Sequence, residues 1–223
     1  MAEMKIGYGS EYQLLRYLGH HRKQLNSIIQ KTTGEESIEW FDYPVDLERD
    51  SLDGELKDIE CFRDLDNYYE IQNAWKNFWP QRGNAQNWDA VFKQGQVYYF
   101  VEAKANIEEA FQKCEAREKS RKKIIGAFER VCGSRILAEK WINSNCYQLA
   151  NRLAFVYFCK SCGIQARTCY ISFINGYEIC PRKNVCSQSA WEECWKKEYE
   201  DLELTEELKS DIIQIYVDCH KGM

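Results

Sequence analysis

The segment Val97 to Ala105 (VYYFVEAKA) restricts the fold more than any other part of the chain. It is a continuous apolar run rich in β-branched and aromatic residues, as in strands buried on both faces of a sheet. Two charges break it, Glu102 and Lys104, and residues two apart on a strand share a face. Unpaired charge inside such a strand is expensive, so the pair demands an explanation. A second apolar run, Asn87 to Phe92, precedes it across Lys93-Gln94-Gly95-Gln96, which is a hairpin signal. Asp89 stands near the start of that partner strand, where a hairpin can bring it beside Glu102.

Around the hairpin the chain alternates helix and strand signals. Ser10 to Gln13 (SEYQ) is a capping-box pattern, followed by Leu14, Leu15, Leu18, Leu25, Ile28 and Ile29 at helical spacing up to Gly34. Ser37 to Val45 reads as a strand ended by Pro44, and Asp46 to Asp66 as an acidic loop. Tyr68 to Trp79 reads as a short helix closed by Pro80. Beyond the hairpin, helices are expected over Ile107 to Cys114, from Ser120 to near Gly133, and over Asn145 to Cys162, stopped by Gly163. Ala166 to Ile174 is a strand, Ser189 to Tyr199 a helix, Thr205 the start of a short one, and Ile212 to Val217 a last strand. This order implies an α/β fold: a central mixed sheet flanked by helices, with extra helices toward the C-terminus, in one domain over residues 1–223.

The 44% hydrophobic content and only 3 prolines argue against a largely disordered chain. No run is long and apolar enough to span a bilayer, and the N-terminal MAEMKIGYGS lacks a signal core, so the expected compartment is the cytoplasm. An odd count of 11 cysteines without a disulfide framework fits thiols kept reduced there. A net charge of −5 weighs against a protein that coats nucleic acid through bulk electrostatics, though not against an enzyme with a local basic surface such as Lys113 to Lys123. An ordinary solvated helix face explains that stretch as well. The oligomeric state is left open, a homodimer included.

Two carboxylates and an ammonium converging on one sheet face suit phosphodiester hydrolysis. Hard cations such as Mg2+ or Mn2+ take carboxylate oxygens, with water and phosphate completing their shell. A neighbouring lysine can orient or help deprotonate the attacking water and offset charge developing on phosphate. The competing reading is a cross-strand or same-face ion pair, a weak energetic contributor.

Asp89, the hairpin and then Glu102-Ala103-Lys104 resemble the D-x(n)-E-x-K signature of the PD-(D/E)xK nuclease superfamily, whose restriction-endonuclease-like core is similar to the element order above. Trp88 stands where the family name has proline. The stretches FWPQRGNAQNWDAV, VEAKAN and YQLANRLAF also resemble a largely uncharacterised group of bacterial proteins. The resemblance implies a metal-dependent nuclease acting on nucleic acid, with DNA as the expected polymer. Asp89 and Glu102 would be metal ligands, Lys104 the residue that positions water, and Glu11, on the first core helix, a further acidic ligand or assistant. Glu11 is expected to face inward with Leu15 and Leu18, although an acid in a first helical turn is already favoured by the helix dipole. The alternative is a nuclease-fold binding or interaction module with little catalysis.

Other features carry less. Gln148 on the long helix reads as a structural or solvent-facing amide, with approach to the site as the lesser alternative. Gln81-Arg82-Gly83-Asn84 could contact phosphate or be an ordinary polar loop; His20, His21 and Arg22 read as surface residues. Cys159-Lys160-Ser161-Cys162 lacks a second ligand pair for zinc and lies at the wrong helix end for a redox motif. Trp75, Trp79 and Trp88 read as core rather than as base-stacking platforms.

Overall fold

The structure is a computed structural model and describes residues 9–35, 37–41, 56–81, 86–175 and 186–219. It is α/β, built on a five-stranded mixed sheet ordered β1-β4-β5-β6-β7. The hairpin strands β4 (Ala90–Gln94) and β5 (Val97–Lys104) pair antiparallel. A helical crossover then carries the chain to β6 (Ala166–Ile174), parallel to β5, and a second to β7 (Ile212–Asp218), parallel to β6. The short β1 (Glu39–Trp40) closes the other edge against β4. The hairpin corner is Gly95-Gln96, where Gly95 takes φ +56°, a conformation that suits the first corner of a tight turn. β5 is central, with both faces covered, as its apolar run demands.

Alternation along β5 divides the core in two. Val101 and Ala103 join Cys169, Ile171, Phe173, Ile215 and Val217 on one face, covered by Leu14, Tyr17 and Leu18 of α1 (Ser10–His20) and by Leu25 and Ile29 of α2 (Arg22–Thr33). Phe100 and Tyr170 belong to the other face, covered by α3 (Tyr68–Phe78), α4 (Glu118–Cys132), α5 (Arg135–Asn143), α6 (Tyr147–Ser161) and α7 (Gln188–Asp201). Phe155 of α6 anchors that side, with its ring 4.7 Å from Trp88, 4.7 Å from Phe100 and 5.3 Å from Trp75. Trp75, Trp79 and Trp88 are all buried core, as their size favours.

Several local expectations are corrected. The first helix is two, broken at His21 (φ −124°, ψ 25°), and the break lets both halves lay an apolar stripe on the same sheet face. Its start is capped by the Gly9 backbone rather than by a Ser10–Gln13 box: Gly9 occupies the N-cap, and Gln13 is buried. Of the expected strand from Ser37, Glu39–Trp40 is strand, Ser37, Ile38 and Phe41 are not, and residues 42–45 lie outside the described residues. The acidic loop contains the short strand β2 (Leu56–Lys57), paired with β3 (Asn87–Trp88), and a 3-10 turn at Glu60–Phe62. The helix expected from Ile107 is only a 3-10 turn to Ala110, held by the Asn106 side chain, which accepts from the Glu109 amide. Helix α5 has no counterpart in the sequence reading; Ser134 caps it by accepting from the Leu137 amide. The last helix, α8 (Glu206–Ser210), starts as expected at a Thr205 cap.

Truncating Phe155 to Ala removes the ring against which two tryptophans and a phenylalanine pack. It should cost about 3–5 kcal/mol of unfolding free energy, read as a lowered urea midpoint with little change in slope.

Candidate active site

Asp89 sits at a bend where the chain leaves the pairing of β3 with β2 and enters β4 in the main sheet. Its amide donates to the Val101 carbonyl at 3.2 Å, and its Oδ2 accepts from the Ala103 amide at 2.7 Å. The second bond crosses the hairpin and pins the carboxylate between Glu102 and Lys104 in sequence. The structure therefore brings Asp89, Glu102 and Lys104 together, through one residue of bent backbone in an otherwise regular hairpin.

Glu102 and Lys104 share the face of Phe100 and are 4% and 6% exposed. Lys104 Nζ donates to Glu102 Oε1 at 2.7 Å. From α6, Gln148 Nε2 donates to the same oxygen at 2.8 Å. Arg152, one helical turn further on, donates to Oε2 through Nη2 at 2.6 Å and Nε at 3.0 Å, and its Nη2 also reaches the Asn87 carbonyl at 3.0 Å. The guanidinium lies over the Trp88 ring, 4.5 Å from its centroid. A carboxylate has about four acceptor positions, and these four N–H donors fill them.

Charge is divided unequally between the two acids. Burial alone would raise Glu102, but Arg152 and Lys104 more than offset it and hold the carboxyl at about 2. Burial, reinforced by the negative Glu102, pushes Asp89 up to about 7, against the opposing pull of Lys104, the Ala103 amide and Arg152. The cations thus serve Glu102 first. Half-buried Asp89 makes no ion pair among the described residues.

Glu11 lies at the start of α1, which packs on the opposite sheet face from Glu102 and Lys104. It is half-buried and in line with Leu14 and Leu18; Leu15, expected inward, is exposed. Gln148, read as a structural or solvent-facing amide, is in the site, and Arg152 was not singled out by the sequence at all. A signal for both existed, because Gln148 and Arg152 stand four apart on a helix and so share a face. What concealed Arg152 was the apolar helix around it. His20 is exposed, and Arg22 serves the helix break by donating from Nε to the Leu18 carbonyl at 2.9 Å. Cys159 and Cys162 are free thiols whose protons burial holds on, and the ten described cysteines form no disulfide. Arg82 to Asn84 lie outside the described residues.

No group of three or more His, Cys, Asp or Glu placed to hold a metal occurs among the described residues. Two surface hollows, of about 570 and 670 Å3, lie elsewhere, against α7 and on the lysine-bearing face of α4. No described helix is long and apolar enough to cross a membrane. Compared with protein-family models, curated proteins and solved structures, the chain matches none.

The two acids have opposite pH signatures. Glu102 is depressed on folding, so its stabilisation is present above its ordinary value of 4.5 and is lost as pH falls through about 2. Glu102→Gln should cost about 3–5 kcal/mol near neutrality, because it strands Arg152 and Lys104, and the cost should shrink in acid. Asp89 is raised on folding, so wild type loses stability between 3.8 and about 7 as pH rises. Asp89→Asn should remove that loss, and chemical denaturation across this range measures both effects.

Proposed function

We propose that the chain is a metal-dependent nuclease of the PD-(D/E)xK kind, hydrolysing phosphodiester bonds in DNA, with Asp89, Glu102 and Lys104 as its reactive set. The observation that carries this reading is the placement of these three charges together inside an apolar sheet. A buried ion pair is poor value as a stabilising device, since apolar residues of similar volume do as well or better. Its retention at the bend of a hairpin, beside a carboxylate that makes no ion pair among the described residues, is easier to understand as chemistry.

The donor set fits a hard divalent cation on one observation. Asp89 is a half-buried carboxylate without an ion pair among the described residues, next to an ionised Glu102. Asp89 and Glu102 would hold Mg2+ or Mn2+, which would supply Lewis acidity toward a phosphoryl oxygen and a water of lowered pKa. Lys104 would orient the attacking water and offset charge developing on the phosphate. Arg152 and Gln148 fix Glu102 in a single orientation, as outer partners of ligating carboxylates do. Glu11 is left out of the proposed set, because α1 packs on the other face. The exposed lysines of α4, Lys119 and Lys122, offer a sequence-independent contact to backbone phosphates.

One observation favours the second reading, a nuclease-fold binding module: Glu102 is 4% exposed and its acceptor positions are filled by the protein itself. The two readings separate in a cleavage assay on single- and double-stranded DNA and RNA with Mg2+ or Mn2+, run beside titration calorimetry of Mn2+. The nuclease reading expects Mn2+ heat that Asp89→Ala abolishes, and a fall of at least ~100-fold in cleavage for Asp89→Ala and Lys104→Ala. Cleavage that survives in both variants removes this site as its source. A wild type with neither cleavage nor Mn2+ heat is the module.

A further inference from the structure

The sheet face that carries Glu102 and Lys104 stays polar as it passes onto β6. In the parallel register Tyr170 lies beside Glu102, and Ser172 beside Lys104. Both are buried. Helix α7 closes over them with Trp195, its ring 4.5 Å from that of Tyr170, and with Glu198, which is 0% exposed. Among the described residues the Tyr170 hydroxyl, Ser172 Oγ, both Glu198 carboxyl oxygens, Trp195 Nε1 and Gln148 Oε1 have no hydrogen-bond partner.

Buried polar atoms without partners among the described residues also occur elsewhere, on Gln86 and Gln94 for example, but this set is the one that lies beside Lys104 and Glu102. Buried polar atoms in folded proteins nearly always have partners, and enclosed water supplies them where protein does not. Here the unpartnered atoms come from β6, α6 and α7 and are grouped around one cation. Lys104 uses one ammonium N–H on Glu102, and an ammonium has three. Lys104 and Tyr170 each interact electrostatically with Glu198. A second cation is disfavoured by the ammonium, and an apolar occupant by the polar wall. Water meets both conditions, as it donates to the carboxyl and carbonyl oxygens and accepts from the hydroxyls, the indole and the ammonium.

We propose that Tyr170, Ser172, Glu198, Trp195 and Gln148 enclose a water-holding recess against Lys104, and that Glu198 is a positioning residue that orients the Lys104 ammonium through that water. The recess stands on the strand register, the Tyr170–Trp195 contact, the burial of its lining and the unpartnered atoms, whereas its consequence for turnover rests on the nuclease reading above. Glu198 is held mainly in its neutral form: burial pushes its carboxyl up to about 8, Lys104 pulls against this, and Asp201 adds to it. A neutral carboxyl can donate as well as accept, which suits a node in a closed water network.

Two substitutions and a high-resolution crystal structure decide the matter. In wild type, ordered water should touch Glu198 and Lys104 Nζ together with the Tyr170 or Ser172 hydroxyl. Glu198→Leu replaces an unpartnered carboxyl with an apolar group of similar size, so it should fold. It should expel the water and move Lys104 Nζ relative to Glu102, while Glu198→Gln should keep both. In turnover, Glu198→Leu should lower kcat about 10-fold with KM changed less than about 2-fold, and Glu198→Gln should recover most of it. Direct protein–protein bonds in place of water overturn the recess. An unmoved Lys104 in Glu198→Leu, or its full kcat, overturns the positioning role. If wild type cleaves nothing, the nuclease reading fails by itself, and the water and the Lys104 position still decide this proposal.

Discussion

Glu102 is a carboxylate set inside the sheet, and the rest of this side of the molecule is arranged around keeping it charged. Lys104 comes from its own strand, two residues on, while Arg152 and Gln148 come from a helix some fifty residues later. Those contacts tie β5 to α6 by direct charge, across the same layer in which Phe155 ties them by packing. Without the guanidinium and the ammonium, the desolvation cost of a buried carboxylate would shift it to its neutral form. With them it stays ionised at neutral pH, and Asp89 bears the remaining imbalance.

The aromatic layer explains how this clamp is held in place. Trp88 supports the Arg152 guanidinium on one face of its ring and packs Phe100 and Phe155 around the rest. A planar cation resting on an indole and forked onto a carboxylate is not replaceable by lysine, which lacks both the plane and the fork. The residue just before Asp89 thus supports the helix cation that neutralises Glu102, and a proline at that position could not do it. The polar recess next to Lys104 fits the same scheme, since every group lining it comes from an element already fixed by the apolar layers.

How much of this could be read in advance depends on how local each feature is. The hairpin, the later strands and the long helix were legible because their periodicity and turn residues lie within a dozen positions. Asp89, Glu102 and Lys104 were legible for the same reason, as one hairpin contains them all. The break at His21 was not, because the apolar stripe continues in phase through it and only sheet contact shows that two shorter helices fit better. Helix α5 was hidden by its length, and the turn at Ile107 by apolar residues that suit helix or 3-10 equally.

Arg152, Gln148 and Glu198 mark the boundary. Each sits on a helix whose spacing can show which residues share a face but not what that face meets, and each acquires its role only because a crossover or a closing helix sets it over β5 and β6. The sequence by itself determined the α/β order, the charged interruption of the central strand and the pairing of Asp89 with it, because these follow from spacing along one hairpin. Only the tertiary structure decided which cations neutralise Glu102, that Glu11 belongs to the other face, and that Glu198 stands buried beside Lys104. Electrostatics acts across space regardless of separation along the chain, and a linear pattern carries no record of what lies a few ångströms away through the fold.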